Sequence, residues 1–186
     1  MLRYKNIKDT QRELYKADWL DTTKPFYLLE GAIDSCFIKN SVAFGGTKHL
    51  HRYLEEYPKM NTNSSNGTII WDNDDAGVFE LMSNLDLGFK YFDWLMITVK
   101  DEFKFKTDGT LREIKDINDF VLYSNECVLD KDGFIEHSCL TPYIKNSEGS
   151  KIRLIQQYGN RIEDRKKKLF EKKKYNTTKT QDFCAF

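Results

Sequence analysis

Apolar residues in this chain come in short runs, and two of the runs stop at carboxylates. Phe26-Tyr27-Leu28-Leu29 ends at Glu30-Gly31, and Ile69-Ile70-Trp71 ends at Asp72-Asn73-Asp74, with Gly77 close behind. Unbroken apolar runs bounded by turn formers are the pattern of strands buried on both faces. Between them the period changes to that of helices. Residues 32–39 space Ile33, Cys36 and Phe37 on one helical face, with Asn40 as a C-cap. Residues 48–57 predict a second helix closed by Pro58. Residues 77–87 space Val78, Leu81, Met82 and Leu85 and end at Gly88. Residues 41–44 form a short second strand before Gly45-Gly46, 69–71 a third and 90–97 a fourth, while 61–67 is a loop by composition. Strands alternating with helices over short links predict right-handed βαβ units: an α/β fold of about four parallel strands between helices.

Residues 98–115 interrupt that rhythm. Phe103 and Phe105 alternate with lysines, and Asp108-Gly109 is a hairpin turn. Lys115-Asp116-Ile117-Asn118-Asp119 then precedes Phe120-Val121-Leu122-Tyr123, a third acidic strand end followed by a helix. Residues 126–149 are poorly periodic. Residues 150–174 predict a helix with Ile152, Ile155, Tyr158, Ile162, Leu169 and Phe170 on one face, and the last dozen residues fray. The expected organisation is a polar lead-in over 1–24 with helical character near 10–20, a core over 25–125 carrying the hairpin, and a C-terminal extension over 126–186 with a basic helix.

Composition narrows the class. The chain has 186 residues, 40% hydrophobic and 14% aromatic, which is globular rather than disordered. Its 29 basic and 29 acidic residues cancel, so there is no global pull toward nucleic acid. The cancellation hides a polarity: 151–179 is strongly basic, and acids concentrate between Asp72 and Asp132. Cys36, Cys127, Cys139 and Cys184 are scattered without a CxxC or Cys/His cluster, so zinc is not expected. No signal peptide and no apolar run near about 18 residues are present, which reads as a cytoplasmic chain with reduced thiols and no membrane partner.

The strand-end carboxylates carry the candidate chemistry. Sites in open parallel sheets lie outside the carboxyl ends of the strands. Residues two apart beyond a strand keep the same facing, so Asp72 and Asp74 can point together toward Glu30. Converging carboxylates repel and need a partner, and hard oxygen ligands at a partly open site suit magnesium or manganese. Gly31 and Gly77 allow close backbone approach and let the next helices start at once. The alternative for each acid alone is a solvated loop residue or a helix cap.

These segments resemble the TOPRIM domain shared by bacterial and phage primases, topoisomerases, OLD-type nucleases and small ribonucleases. The resemblance rests on Glu30-Gly31 after a strand and on Asp72-Asn73-Asp74 followed by Gly77. It covers about residues 25–124. Leu29-Glu30-Gly31-Ala32-Ile33-Asp34-Ser35 is most similar to bacteriophage DNA primases, and Lys115-Asp116-Ile117-Asn118-Asp119 is similar to a second string of those proteins. The resemblance implies a TOPRIM Rossmann-like fold and magnesium-dependent nucleotidyl transfer, the synthesis of RNA primers in DNA replication. It implies Glu30 as general base or metal ligand, Asp72 and Asp74 as metal ligands, and Asp34 and Asp116 as supporting acids or ligands of a further ion. Asp119 is next in line, Lys115 would contact a nucleotide phosphate, and Asn118 orders the turn.

Phage primases usually carry a zinc-binding module and a basic polymerase half ahead of the TOPRIM core. Neither is present in this sequence, so the expectation is the C-terminal catalytic portion of a split primase or a stand-alone protein. The implied partners are single-stranded DNA template, ribonucleotides, and a replicative helicase or separate primase half in a primosome. The site would then lie in the host cytoplasm if the chain is viral. A TOPRIM nuclease would use the same acids to activate water, and a non-catalytic replisome docking module is the rival from a different class. Lys48, after Gly45-Gly46, is a further phosphate candidate, although the Walker spacing is incomplete. Arg165, Lys166 and Lys167, with Lys168 and Lys172–Lys174, either form a solvated helix end or contact a nucleic-acid backbone. His49 and His51 read as surface residues, and Trp71 and Trp94 as core.

Overall fold

The structure is a computed structural model that describes residues 14–46, 50–148, 150 and 152–159. Its strands are Phe26–Leu29 (β1), Ser41–Ala43 (β2), Gly67–Ile70 (β3), Lys90–Phe92 (β4) and Ile144–Lys145 (β5). They form one sheet in the order β2–β1–β3–β4–β5. The first four are parallel, and β5 runs antiparallel against β4. The helices are Ala32–Ser35 (α1), Leu50–Glu56 (α2), Pro58–Thr62 (α3), Asp75–Asn84 (α4), Ile117–Tyr123 (α5), His137–Leu140 (α6) and a C-terminal segment over 152–159. This is an α/β fold with a mostly parallel sheet, compatible with a Rossmann-like architecture.

The alternation of β1 divides the interior into two layers. Phe26 and Leu28 pack with residues of α2, α3, α4 and 152–159, among them Leu50, Met60, Val78, Leu81, Leu154 and Tyr158. Tyr27 and Leu29 face the opposite layer, built from Ile38, Ile117, Phe120, Ile135 and Leu140. Burying a side chain such as Phe26 or Leu28 completely contributes about 1.5–3 kcal/mol. The chain leaves β1 for β2 on one side, then crosses back to β3 on the other. The connection to β2 lies in the second layer, and the connections to β3 and β4 lie in the first. A single crossover hand requires that division when the direction of travel reverses. The reversal leaves a crevice outside the carboxyl ends of β1 and β3, the place where open α/β sheets bind ligands.

Several elements differ from the sequence reading. α1 has only four residues, and its faces are inverted: Ile33 is 59% exposed and Cys36 is exposed, while Asp34 and Ser35 are buried. The Ser35 hydroxyl donates to the Ala32 carbonyl, and Asp34 accepts from the Asn118 amide at the start of α5, so polar bonds rather than apolar contact turn this helix. Asn40 does end the segment with a positive φ of 52°. Residues 61–67 are not a loop. α3 runs through Thr62, a 3-10 turn spans Ser64–Asn66, and Gly67 already pairs with Phe26. Asn63 and Asn66 donate to Thr22 rather than to solvent, which lets a polar stretch stay ordered.

β4 stops at Phe92 rather than continuing to residue 97, because the Asp93 carboxylate accepts from the Leu95 amide and turns the chain into a 3-10 helix, Trp94–Met96. Residues 14–24 are built into the sheet edge: Tyr15 pairs antiparallel with Ala43, and Leu14 is buried in the first layer. In 152–159 Tyr158 is buried as its spacing predicts, but its buried companion is Leu154, four residues earlier, whereas Ile152 and Ile155 are exposed. Trp71 and Trp94 are both core, and the Trp94 indole donates to the Trp71 carbonyl at 2.9 Å. Among the described residues no helix is long and apolar enough to cross a membrane. Lys48, His49, Arg165, Lys166 and Lys167 lie outside the described residues, as do the rest of the expected basic helix and the C-terminal end. His51 is exposed.

Candidate functional site

Glu30 and Asp72 stand at the switch point, just beyond β1 and β3. The two strands end in register, Leu29 opposite Ile70. α4 starts immediately after β3 because Asp74 is its N-cap: one carboxylate oxygen accepts from the Ala76 and Gly77 amides, each at 2.9 Å. Gly77 lies against the Asp72 backbone, where any Cβ would collide with the Asp72 carbonyl. The turn carrying the two aspartates therefore needs glycine for close approach rather than for an unusual φ.

A second segment closes the site. The Asn73 amide donates to the Lys115 carbonyl at 2.6 Å, and its side chain donates to the Ile114 carbonyl at 2.9 Å. Lys115 thereby stands beside the end of β3, with its ammonium 3.4 Å from an Asp72 carboxylate oxygen. Asp116 N-caps α5 by accepting from the Asp119 amide at 2.8 Å, and Asp119 accepts from the Lys115 amide at 3.1 Å. The Asn118 amide, on the first turn of α5, donates to Asp34 at 3.0 Å and joins α5 to α1.

The site thus brings together Glu30, Asp34, Asp72, Asp74, Asp116 and Lys115. Asp74 and Asp116 serve as caps as well, so capping and membership of the acidic group are not alternatives here. Asn73, a silent position in the sequence pattern, sets the distance between the two halves. Nothing in the local sequence marks it, since its partners are the backbone carbonyls of Ile114 and Lys115, far along the chain.

Electrostatics set these carboxylates apart. Burial, then Asp72 and Asp74, pushes Glu30 up to about 7, against the pull of Lys115. Burial, then Asp116, pushes Asp34 up to about 7, partly offset by the Asn118 amide. Asp72 rises to about 6 through burial; Lys115 pulls it back, and Asp116 and Asp74 push it further. Burial also acts on Lys115, but Asp72 and Asp74 outweigh it and hold the ammonium above its ordinary value. One oxygen of Glu30 is buried without a hydrogen-bond partner. Carboxylates in this condition are under-compensated, and Lys115 is a tethered cation that relieves only part of the repulsion.

A divalent cation fits this donor set chemically, since every candidate ligand is a carboxylate oxygen and the orphaned Glu30 oxygen lacks a donor. Among the described residues no three acidic, His or Cys side chains already form a cage around one point. No protein-family model matches this chain, and no curated protein matches it.

Proposed function

We propose that this chain is a magnesium-dependent nucleotidyltransferase of the TOPRIM type, closest in action to a DNA primase. The observation that carries the reading is the convergence of Glu30, Asp34 and Asp72 on the switch-point crevice with carboxyl groups pushed up by burial and mutual repulsion. The order of the Glu-Gly, Asp-x-Asp and Lys-Asp-x-Asn-Asp segments around that crevice supports the TOPRIM assignment. Asp72 and the uncapped oxygen of Asp74 would hold the metal, with Glu30 beside them. When bound, magnesium would polarise the phosphorus centre and steady the leaving oxygen.

The chain's own residues do the rest. Glu30, poised near neutral pH, accepts the proton of the attacking 3′-hydroxyl as that oxygen bonds to the α-phosphorus of an incoming nucleotide and the bond to pyrophosphate breaks. Lys115 leaves Asp72 for a phosphate oxygen of the substrate. Asp34 and Asp116 hold the Lys115 segment against α1 and complete the negative field. Single-stranded DNA is the template in this reading, and a helicase or separate primase half is the partner.

One assay with two readouts tests it. The purified chain is incubated with single-stranded DNA, labelled ribonucleotides and magnesium, with and without a replicative helicase, beside Asp72→Asn. Short labelled oligoribonucleotides that fall by about 10²–10³-fold in the variant support the primase reading. DNA shortening without synthesis, lost in the variant, replaces it with nuclease chemistry at the same acids. Neither product under any condition leaves a docking module and overturns catalysis by this chain.

A further inference from the structure

The hairpin between β4 and α5 has no part in the chemistry above, yet it forms one wall of a cleft beside the acids. Phe105 pairs antiparallel with Leu111, Lys106 and Thr110 are bonded through their backbones, and Gly109 takes the turn at a φ of 79°. Its base is held firmly. The Arg112 guanidinium lies 4.0 Å from the centre of the Tyr123 ring and donates to the Phe103 carbonyl at 3.1 Å, and Phe103 packs edge-on against Tyr123 at 5.3 Å. Tyr123 is the last residue of α5, the helix that Asp116 begins. Hairpin and acidic group are thus carried by one helix, and the arm cannot drift far from the site.

The cleft has a volume of about 410 Å³ and is lined by Asn73, Asp74, Asp75, Glu113, Lys115 and Lys106. That is room for a nucleotide-sized ligand. Lys106 comes from the hairpin, across the opening from the start of α4. After the Thr110 hydrogen bonds, its charge helps draw down the exposed Asp108 at the hairpin turn without an ion pair among the described residues, whereas Lys115 is engaged directly by Asp72. Strand alternation turns Phe105 and Leu111 to the other side of the hairpin, where they are 59% and 60% exposed. A lysine that lines a polar cleft from a hairpin anchored at its base, with no carboxylate in direct contact, is suited to an anionic group on the ligand.

We propose that the hairpin is a substrate-gripping arm, and that Lys106 holds a phosphate of the nucleotide or nucleic-acid strand entering the cleft. The inference rests on the reading of the acids as a phosphoryl-transfer site. Carboxylates line the cleft beside its two lysines, so an entering phosphate meets Asp74 and Glu113 as well as the ammonium groups. Phosphate binding is therefore expected to depend on magnesium as well as on Lys106.

The test is equilibrium binding to the full chain by fluorescence anisotropy in magnesium, with two probes. One is a labelled nucleoside triphosphate with a non-cleavable α–β bridge, the other a labelled single-stranded oligonucleotide. Lys106→Ala is compared with Lys106→Arg and with Lys131→Ala, an exposed lysine outside the cleft. Lys106→Ala is expected to weaken one probe by about tenfold, the effect of removing a single charge-assisted hydrogen bond, while Lys106→Arg retains most of the affinity. Weakening confined to the triphosphate places Lys106 on the incoming nucleotide. Weakening confined to the oligonucleotide, with the salt slope reduced by about 0.7–1, places it on the strand. Equal binding by wild type and Lys106→Ala overturns the arm while leaving the acids' role intact. A wild type that binds neither probe and makes no product overturns both.

Discussion

Two strands of this sheet end in an aspartate beside a tryptophan, and the two aspartates live under opposite conditions. Asp93, after β4, is 1% exposed, and both of its oxygens are engaged: one by the Leu95 amide at 3.1 Å, the other by Arg153 of 152–159 at 2.7 Å. Asp72, after β3, is 20% exposed and shares a single lysine at 3.4 Å with the other carboxylates of the crevice. The first carboxylate is matched by an arginine of its own and belongs to the architecture. The second is left with a charge deficit, and its carboxyl is pushed up to about 6. A strand-end acid is therefore not a site by position. It becomes one when its neighbours leave it under-compensated at a place a ligand can reach.

The largest effect that tests this contrast comes from the β4 end. Arg153→Ala leaves Asp93 buried without its partner. Since the arginine is 42% exposed, the expected cost is near the low end of the usual range, about 3 kcal/mol, or a drop in Tm of about 6–12 °C. Adding Asp93→Asn recovers most of that loss, and neither change alters nucleotide binding at the crevice. A thermal scan in which Arg153→Ala melts within a degree of wild type breaks the contrast, because Asp93 would then tolerate the deficit that Asp72 carries.

Glycine substitutions sharpen it at the β3 end. Gly77→Ala drives a Cβ into the Asp72 carbonyl, a backbone atom with nowhere to move, and is expected to cost about 2 kcal/mol together with most of the activity. Gly31→Ala meets the Asp34 carboxylate, a side-chain group that can shift at the expense of its bond to the Asn118 amide, so its cost is smaller than that of a collision with backbone. Equal melting temperatures for the two variants, measured side by side, remove the claim that the Asp72 turn is the tighter of the two.

The smallest effect is in the pH dependence of stability. Glu30, Asp34 and Asp72 have folded values raised above their ordinary values of 4.5, 3.8 and 3.8, to about 7, 7 and 6. The folded state binds these protons more tightly than the unfolded chain does. Their contribution is thus fully present below about pH 4 and is lost as pH rises through 6 and 7. Asp21, Asp108 and Asp130 shift the other way, through hydrogen bonds and lysines, and act below that window. In urea without divalent ions, stability should fall between about pH 4.5 and 7.5 by about 1–3 kcal/mol after solvent screening, and magnesium should restore it at the upper end. A profile that is flat or rises across this interval shows that the crevice acids are already compensated.

Much of this layout was legible from the chain. The apolar runs at 26–29 and 69–71 mark two central strands, since both faces of such a strand are buried; the latter strand in fact begins two residues earlier, at Gly67, and ends at Ile70. The helices after Asp74 and after Asp116 are where the sequence placed them, but the strand expected before Asp116 is absent: 112–115 join no ladder. Two of the misreadings share a cause. α1 has the helical spacing of Ile33, Cys36 and Phe37, yet it buries Asp34 and Ser35, because its orientation is decided by the Asn118 amide 84 residues away. The segment at 61–67 has a loop's composition, yet its asparagines are ordered by bonds to Thr22.

Local sequence dictates which residues could serve: the acids at the strand ends, the glycine that lets α4 begin at once, and the alternation that splits the core into two layers. These follow from local sterics and from the period of the backbone, which act over a few residues. Which acids face a deficit is set by packing between distant segments. That depended on Asn73 drawing Lys115 to Asp72, on Arg153 reaching Asp93, and on a hairpin anchored to Tyr123 presenting Lys106 to the cleft. Charge compensation falls off within a few ångströms in space and has no fixed range along the chain, so the difference between a structural carboxylate and a functional one is settled only when distant segments meet.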